Sequence, residues 1–163
     1  MEHTSLVTVA KVSLVAIVGG FGVVMGWYIW LLIAFVGCLA IDYLTGSAAA
    51  AKAGVWSSSK ARDGLWHKLG SVIAVGGAAL VDFVIGLVVN NMTAIAIPID
   101  YTVLISPIVI VWYTLTELGS IIENAGALGA PVPTFLKKAI KVLKNATDNA
   151  GEKLAAGSDE KKE

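Results

Sequence analysis

Residues 12–41 contain no charged side chain, and this long uncharged run limits what the chain can fold into. As an α-helix the run would be about 45 Å long, whereas the hydrocarbon core of a bilayer is about 30 Å thick. Charged residues make up only 15% of the chain and hydrophobic residues 56%, with a mean hydropathy of +0.78. A soluble domain carries about 25% charged residues, so helices of this composition are expected in lipid rather than in water.

The uncharged run allows two arrangements of the chain. One is a single tilted helix in which Gly22 and Gly26 form a small-residue packing face. The other is a hairpin with legs at about 6–25 and 27–46, in which glycines bend the chain near residues 25–27 and the aromatic residues that follow favour the membrane interface. The sequence favours the hairpin. A cleaved signal peptide is not expected, because the run is too long and more apolar segments follow it.

Two further spans are predicted after a basic connecting segment, in which serines 57–59 suggest the start of a short interfacial helix. The first span covers about 69–90. It carries Asp82 near its centre, where a charge costs about 3 kcal/mol against roughly −5 kcal/mol from the aliphatic and Phe side chains. The second span covers about 101–122, and Pro107 inside it predicts a kink.

The C-terminal part of the chain differs in character from the spans. After a Gly- and Pro-containing break, residues 131–147 predict a basic amphipathic helix suited to an anionic membrane surface. Residues 148–163 are predicted to be a disordered charged tail. The predicted fold is therefore an all-α membrane protein, with a bundle of three to four transmembrane helices in residues 1–130 followed by the amphipathic helix and the tail.

The positive charges predict the orientation of the spans. Apart from Lys11, they lie in two groups before and after the last two spans, and none falls between 69 and 136. Lys and Arg near span ends are retained on the cytoplasmic side, so the basic loop and the C-terminus of this multi-pass protein are expected there, with the N-terminus also inside for four spans or outside for three. The residues expected at the membrane surface are Lys52, Lys60, Arg62, Lys68, Lys137, Lys138, Lys141 and Lys144.

Two polar stripes on the last spans are candidates for function. Asp82 shares a helical face with Ser71 and Ala78, and an ionisable group at membrane depth is a functional candidate by default. The last span carries a stripe that includes Ser106, Tyr113 and Glu117. Two interpretations stay open: hydrogen bonding inside one folded monomer, or faces that meet between subunits and become wet on assembly.

The sequence carries no recognisable enzyme motif. Cys38 is the single cysteine, the two histidines His3 and His67 lack ligand spacing, and no Walker loop, GxSxG or HExxH motif occurs. We therefore expect no catalytic residues, no metal, no cofactor and no nucleic-acid partner. The expected partners are the lipid bilayer and other copies of the chain.

Three blocks of the sequence resemble the toxin-secretion and phage-lysis holin family and occur in the same order as in that family. The first is a D-Y-x-T-G motif, the second lies in the basic connecting segment, and the third closes the last span and the break after it. The matching residues are Asp42, Tyr43, Thr45 and Gly46, then Ser58, Ser59, Gly64, Leu65 and Lys68, then Glu117, Ser120, Ile121, Glu123, Asn124, Gly129, Pro131, Pro133 and Leu136.

The resemblance implies a phage or prophage protein of the cytoplasmic membrane of a Gram-positive host. It implies a homo-oligomer whose lesions release an endolysin for host cell lysis, or a toxin, without direct binding of that protein. Two alternatives stay open, a regulatory antiholin of the same fold and a small membrane scaffold or transporter subunit. We further hypothesise that Asp82 and Glu117 help to hold a dry packed bundle until assembly admits water.

Overall fold

The computed structural model describes residues 26–91 and 103–156, and this part of the chain is helical apart from short connections. The helices described are α1 (Trp27–Lys52), α2 (Ser58–Asn91), α3 (Ile105–Ala127) and α4 (Thr134–Ala156). The first three are each long and apolar enough to cross a membrane. The predicted all-α membrane fold is confirmed, with α1, α2 and α3 in place of the spans predicted at 27–46, 69–90 and 101–122.

A break at Gly26 precedes α1. Its φ of 56° and ψ of −132° are far from helical values and suit a glycine, which has no Cβ to clash. A single helix running through 12–41 is therefore excluded, and α1 covers the segment predicted as the second leg of a hairpin. The predicted first leg, 6–25, lies outside the described residues, so the choice between three and four spans stays a prediction.

The basic connecting segment is joined to the span that follows it. Ser57 caps α2, because its Oγ accepts a hydrogen bond from the backbone N–H of Lys60 at 3.3 Å. The expected short interfacial helix is not a separate element, since α2 continues from Ser58 to Asn91. At 1.5 Å per residue α2 is about 51 Å long, well beyond a hydrocarbon layer of about 30 Å. The helix is therefore long enough to span such a layer with its basic first turns outside it.

Pro107 starts a helix instead of bending one. Because α3 begins at Ile105, Pro107 is in its first turn, where backbone N–H groups have no partner within the helix. The predicted kink inside a span is therefore wrong. The residue at the N-cap position, Leu104, offers no capping side chain, so the sequence near Pro107 gives no local signal for where α3 begins.

The ends of α1 and α3 have the same geometry, a Schellman motif closed by a glycine with positive φ. Gly54 follows α1 with a φ of 70°, and Gly129 follows α3 with a φ of 101°. The backbone bonds that define the two motifs are Gly54 N–H to Ala51 O, Val55 N–H to Ala50 O, Gly129 N–H to Gly126 O and Ala130 N–H to Ala125 O.

The central helix is α3, which packs against each of the other three described helices. The core beside it consists of Phe35, Leu39, Val75 and Ile110. The outward sides of α1 and α2 expose large apolar side chains in numbers that suit lipid rather than water. Examples are Trp30, Val36, Ile73, Leu80 and Phe83.

The last helix, α4, runs back along α3 in the opposite direction. Ile140 lies beside Gly119, and Gly151 lies beside Ile108 one turn from the start of α3. The sequence predicts that this helix ends at residue 147 and that disorder begins at 148. The structure differs, because the helix continues to Ala156 and rests on α3. Residues 157–163 of the predicted tail lie outside the described residues.

Candidate functional site in the bundle interior

One ammonium group joins three helices in the half of the bundle toward the C-terminal end of α3. Lys68 of α2 donates from Nζ to Asp42 Oδ2 of α1 at 2.7 Å and to Glu117 Oε2 of α3 at 2.5 Å. All three side chains are largely buried, with 11–17% of each exposed. Two carboxylates and one ammonium leave this triad with a formal net charge of −1. Such a group is tolerated at membrane depth only when its members pair with one another, as they do here.

The second carboxylate oxygen of Asp42 is also bound. Asn124 of α3 donates from Nδ2 to Asp42 Oδ1 at 2.8 Å and to Thr45 Oγ1 at 3.2 Å. Gly46 makes room for this amide, since a Cβ at that position would stand 3.4 Å from Asn124 Nδ2. We call Asp42, Thr45, Lys68, Glu117 and Asn124 the Lys68 cluster.

The Lys68 cluster borders an open cavity of about 850 Å³ between α1, α2 and α3. Tyr43 and Gly64 line it from α1 and α2, and Ser120 lines it from α3. Lys60 and His67 reach the same space from the basic first turns of α2. The cavity therefore connects the charged triad with the end of the bundle where the basic residues lie.

A second polar group lies at the opposite end of α3. Asp82 of α2 is 2% exposed, and its carboxylate accepts hydrogen bonds from the first backbone N–H groups of α3. The donors are Leu104 N–H at 3.2 Å, Ile105 N–H at 2.9 Å, Ser106 N–H at 2.7 Å and Ser106 Oγ at 2.6 Å. Because the N-terminus of a helix carries partial positive charge, a carboxylate is stabilised there.

The same polar group includes a residue of α1. Tyr28 donates its hydroxyl to Ser106 Oγ at 3.0 Å, so α1, α2 and α3 meet through hydrogen bonds here as well. We call Tyr28, Asp82 and Ser106 the Asp82 cluster. The bundle is therefore joined by one polar cluster near each end of α3, with Phe35 and Ile110 buried between them.

The comparison with known protein families gives one decisive match. The model of the bacteriophage holin family matches residues 19–145, which is most of the chain. This chain belongs to the holin family. The family resemblance drawn from the three motif blocks is therefore confirmed, and the family is one of non-enzymatic membrane proteins.

Relatives of this holin-family chain occur in Halalkalibacterium and Listeria. An uncharacterized protein of Halalkalibacterium halodurans is 36% identical over 106 residues, which cover 65% of this chain and 72% of the relative. Uncharacterized proteins of Listeria innocua and Listeria monocytogenes are each 30% identical, over 82% and 76% of this chain and 89% and 81% of their own lengths. No solved structure matches the chain.

The structure brings the holin motif blocks together. Asp42, Thr45 and Gly46 of the first block meet Glu117 and Asn124 of the third, and Lys68 of the second block lies between the two. Gly129, Pro131 and Pro133 form the turn into α4. Leu65 and Glu123 are exposed, and Ile121 is half-buried, so these motif residues stay outside the cluster.

The polar candidates of the last two spans face the interior of the described bundle. Ser71, Ala78 and Asp82 are buried on one side of α2, and Ser106 and Glu117 are buried on α3. Tyr113 is half-buried, with its ring centroid 6.4 Å from that of Phe35. Asp82 and Glu117 belong to different clusters, because Ser106 and Glu117 are about 16 Å apart along α3.

The basic residues predicted at the membrane surface differ in their exposure. Lys52, Lys60, Arg62, Lys137, Lys138 and Lys141 are exposed, whereas Lys68 lies in its cluster with 13% of its side chain exposed. Lys144 of α4 is half-buried, with its Nζ 4.0 Å from the ring centroid of Trp112. Paired carboxylates and an aromatic face explain both positions, because each offsets the loss of water around the ammonium group.

Sequence reasoning missed two contacts of α3. Lys52 donates from Nζ to the carbonyl of Leu128 at 2.6 Å and to that of Ala127 at 3.4 Å, at the C-terminal end of α3. Trp112 Nε1 donates to Asp148 Oδ1 of α4 at 2.5 Å. Lys52 lies in the last turn of an apolar helix, and this position was a sequence signal for its contact with the end of α3. No local feature of the sequence indicated the contact between Trp112 and Asp148.

Proposed function

We propose that this holin-family chain accumulates in the cytoplasmic membrane of a bacterial host and oligomerises there into lesions. These lesions release an endolysin for host cell lysis, or a toxin. The observation that carries the proposal is the Lys68 cluster, with its adjoining cavity of about 850 Å³. Charges and water-accessible space lie between helices whose outer surfaces suit lipid, so a change in helix packing can admit water without unfolding the helices.

The orientation proposed for the bundle follows from its basic ends. Lys60 and Arg62 lie at the start of α2, and Lys137 and Lys138 lie at the start of α4. Lys52 bridges from the end of α1 to the end of α3, which joins these segments at one end of the bundle. The positive-inside rule then places this end in the cytoplasm and the Asp82 cluster toward the outside.

In the proposed mechanism the two polar clusters act as latches, which hold the helices of each subunit together before a lesion forms. Lys68 is the member that holds α2 to both α1 and α3, so loss of its pairing loosens three helices at once. Subunit association offers the freed charges water and new partners. The lesion therefore forms when contacts between subunits replace those within the Lys68 cluster.

Induced expression with a potential-sensitive dye tests the function. We expect a delay followed by abrupt loss of membrane potential, with lysis only when a wall hydrolase is present in the cytoplasm. An unchanged potential at full membrane levels contradicts the proposal and points to a scaffold or transporter subunit. Delayed lysis by a co-expressed holin, without depolarisation by this chain alone, points to an antiholin.

Two substitutions test the latch mechanism through the timing of lysis. Glu117→Gln removes one charge partner of Lys68, and Asp82→Leu removes the carboxylate from the start of α3. Both are expected to advance lysis at equal membrane levels. Glu123→Gln is the matched control, because Glu123 is an exposed carboxylate on the same helix. Timing that stays equal in all three variants contradicts the mechanism.

A further inference from the structure

Helix α4 has three distinct sides, and one of them rests on α3. Ile140, Lys144, Thr147 and Gly151 are the half-buried residues of α4, and their spacing of three or four places them in one stripe. Ile140 Cγ2 lies 3.9 Å from the Cβ position of Gly119, and Ile108 Cγ2 lies 4.0 Å from that of Gly151. The contact therefore extends over about 16 Å of α3, more than half the thickness of a bilayer's hydrocarbon layer.

The other two sides of α4 differ in polarity. On an ideal helix, Lys137, Lys141, Asp148 and Glu152 fall on one side of the contact stripe, and all four are exposed. Phe135, Val142 and Leu143 fall on the opposite side with Ala146 and Ala150, and are exposed as well. Lys153, in the last turn, is the exception on this apolar side. Docked α4 therefore turns a charged side and an apolar side in opposite directions.

The charged side of α4 faces a groove. A cavity of about 410 Å³ lies between α2, α3 and α4, and Ala74, Asp148 and Glu152 line it. Trp112 and Tyr113 line both this cavity and the larger one beside the Lys68 cluster. The two cavities thus adjoin along one side of α3 and form a groove with charges at intervals, from Lys60 and Lys68 at one end to Glu152 at the other.

The groove is better suited to contact with water than to contact with lipid. Asp148 and Glu152 lie at the level of α3 residues 108–113, within an apolar span, where lipid contact with charged side chains is costly. The apolar side of α4 has no such cost. An isolated subunit surrounded by lipid would avoid the cost by laying α4 on the membrane surface, where a basic amphipathic helix is stable.

We propose that α4 docks against α3 in the assembled lesion and that the groove between α2, α3 and α4 is part of its aqueous path. Asp148 and Glu152 line one end of the path, and the side chains released from the Lys68 cluster line the other. The apolar side of α4 faces lipid or the next subunit. This inference rests on the proposed lesion-forming function and adds which surface meets water.

Cross-linking tests the docked position in membranes. In a Cys38→Ser background, Ile108→Cys combined with Gly151→Cys is expected to be cross-linked by a short bis-methanethiosulfonate reagent, through two reducible disulfides, once the potential has collapsed. Ile108→Cys combined with Asn149→Cys is the matched control, because residue 149 lies on another side of α4 at the same level. Equal cross-linking of both pairs, or of neither, overturns the proposal.

Thiol labelling tests whether the groove is wet. A membrane-impermeant charged thiol reagent is expected to modify Ala74→Cys about tenfold faster than Ile73→Cys in depolarised cells, because only a wet thiol ionises readily. Ile73→Cys is the matched control, because Ile73 is 65% exposed on the protein surface but faces lipid in the proposed arrangement. Faster labelling at residue 73, or equal rates, overturns the proposal.

Locking α4 in place separates this inference from the proposed function. The Ile108→Cys, Gly151→Cys protein, cross-linked in permeabilised cells or vesicles, is expected to remain permeable to a small dye. Loss of permeability on cross-linking, restored by a reductant, overturns the inference because the docked state would then be the closed one. If the protein without introduced cysteines never depolarises cells, the proposed function itself fails.

Discussion

Asp82 and Lys52 bind opposite ends of α3, although neither residue belongs to that helix. The Asp82 carboxylate accepts hydrogen bonds from N–H groups at its start, and the Lys52 ammonium donates to the carbonyls of Ala127 and Leu128 at its end. Each side chain carries the charge that complements the helix dipole at its end. The central helix is thus capped by its neighbours, and its ends depend on the packing of the whole bundle.

Loss of the Asp82 carboxylate is expected to loosen the start of α3. Asp82→Ala leaves the first N–H groups of α3 without an acceptor in an apolar environment, at a cost of about 3 kcal/mol. Hydrogen exchange of the detergent-solubilised protein should accelerate in peptides that cover the start of α3. Ser106→Ala, which removes one hydroxyl and keeps the backbone bonds, should have a smaller effect. Equal exchange in both variants contradicts the assigned cap.

Lys68→Met alone is expected to destabilise the protein more than a variant in which both carboxylate partners are replaced as well. Lys68→Met leaves Asp42 and Glu117 as neighbouring unpaired carboxylates and should lower the free energy of unfolding by about 3 kcal/mol, the low end for a buried pair because each side chain keeps some exposure. Adding Asp42→Asn and Glu117→Gln should restore part of this loss.

Thermal unfolding in detergent measures both Lys68 variants. Lys60→Met is the control, since the Lys60 ammonium is exposed and, among the described residues, hydrogen-bonds only to the carbonyl of Val55 at 3.4 Å. We expect the midpoint of Lys60→Met to stay near that of the wild type. A triple variant less stable than Lys68→Met alone would show that charge pairing is not what holds the cluster.

The stabilising role of Asn124 is expected to depend on its side-chain amide. Asn124→Ala loses two hydrogen bonds and should destabilise the protein by about 1–2 kcal/mol. Asn124→Asp should be worse, because a third carboxylate then faces Asp42. Thermal unfolding ranks the two against Asn145→Ala, a change at an exposed position of α4. A more stable Asn124→Asp would contradict the donor role of the amide.

Gly129 is expected to tolerate alanine poorly. Its φ of 101° is strained for any residue with a Cβ, and that Cβ would stand 3.3 Å from Lys52 Nζ. Gly129→Ala should cost about 1–2 kcal/mol. Gly119→Ala is the matched control, because residue 119 is helical and its Cβ would only touch Ile140 at 3.9 Å, so helix propensity favours the change. Equal midpoints for both variants would rule out conformational strain at Gly129.

The spans could be predicted from the sequence because a helix in lipid needs a long, mostly apolar run of residues, which is visible in the local sequence. Pairings between helices follow no local rule, so the motif spacing, the polar stripe and the basic pattern drew attention to Asp42, Lys68, Glu117 and Asn124 without predicting that they pair. The start of α3 could not be predicted near Pro107, because its cap comes from Asp82, twenty-two residues earlier than Leu104. The length of α4 beyond 147 likewise depends on distant residues, with Trp112 binding Asp148.

Helix α2 is unbroken from its basic first turns to its apolar end. Lys60 and Asp82 lie on one continuous helix, about 33 Å apart, so a tilt imposed at one is transmitted to the other. In the proposed orientation the basic turns of α2 lie at anionic headgroups, whose density varies with lipid composition. A change in the membrane's surface charge is then expected to alter the tilt of α2 and with it the contact between Asp82 and α3.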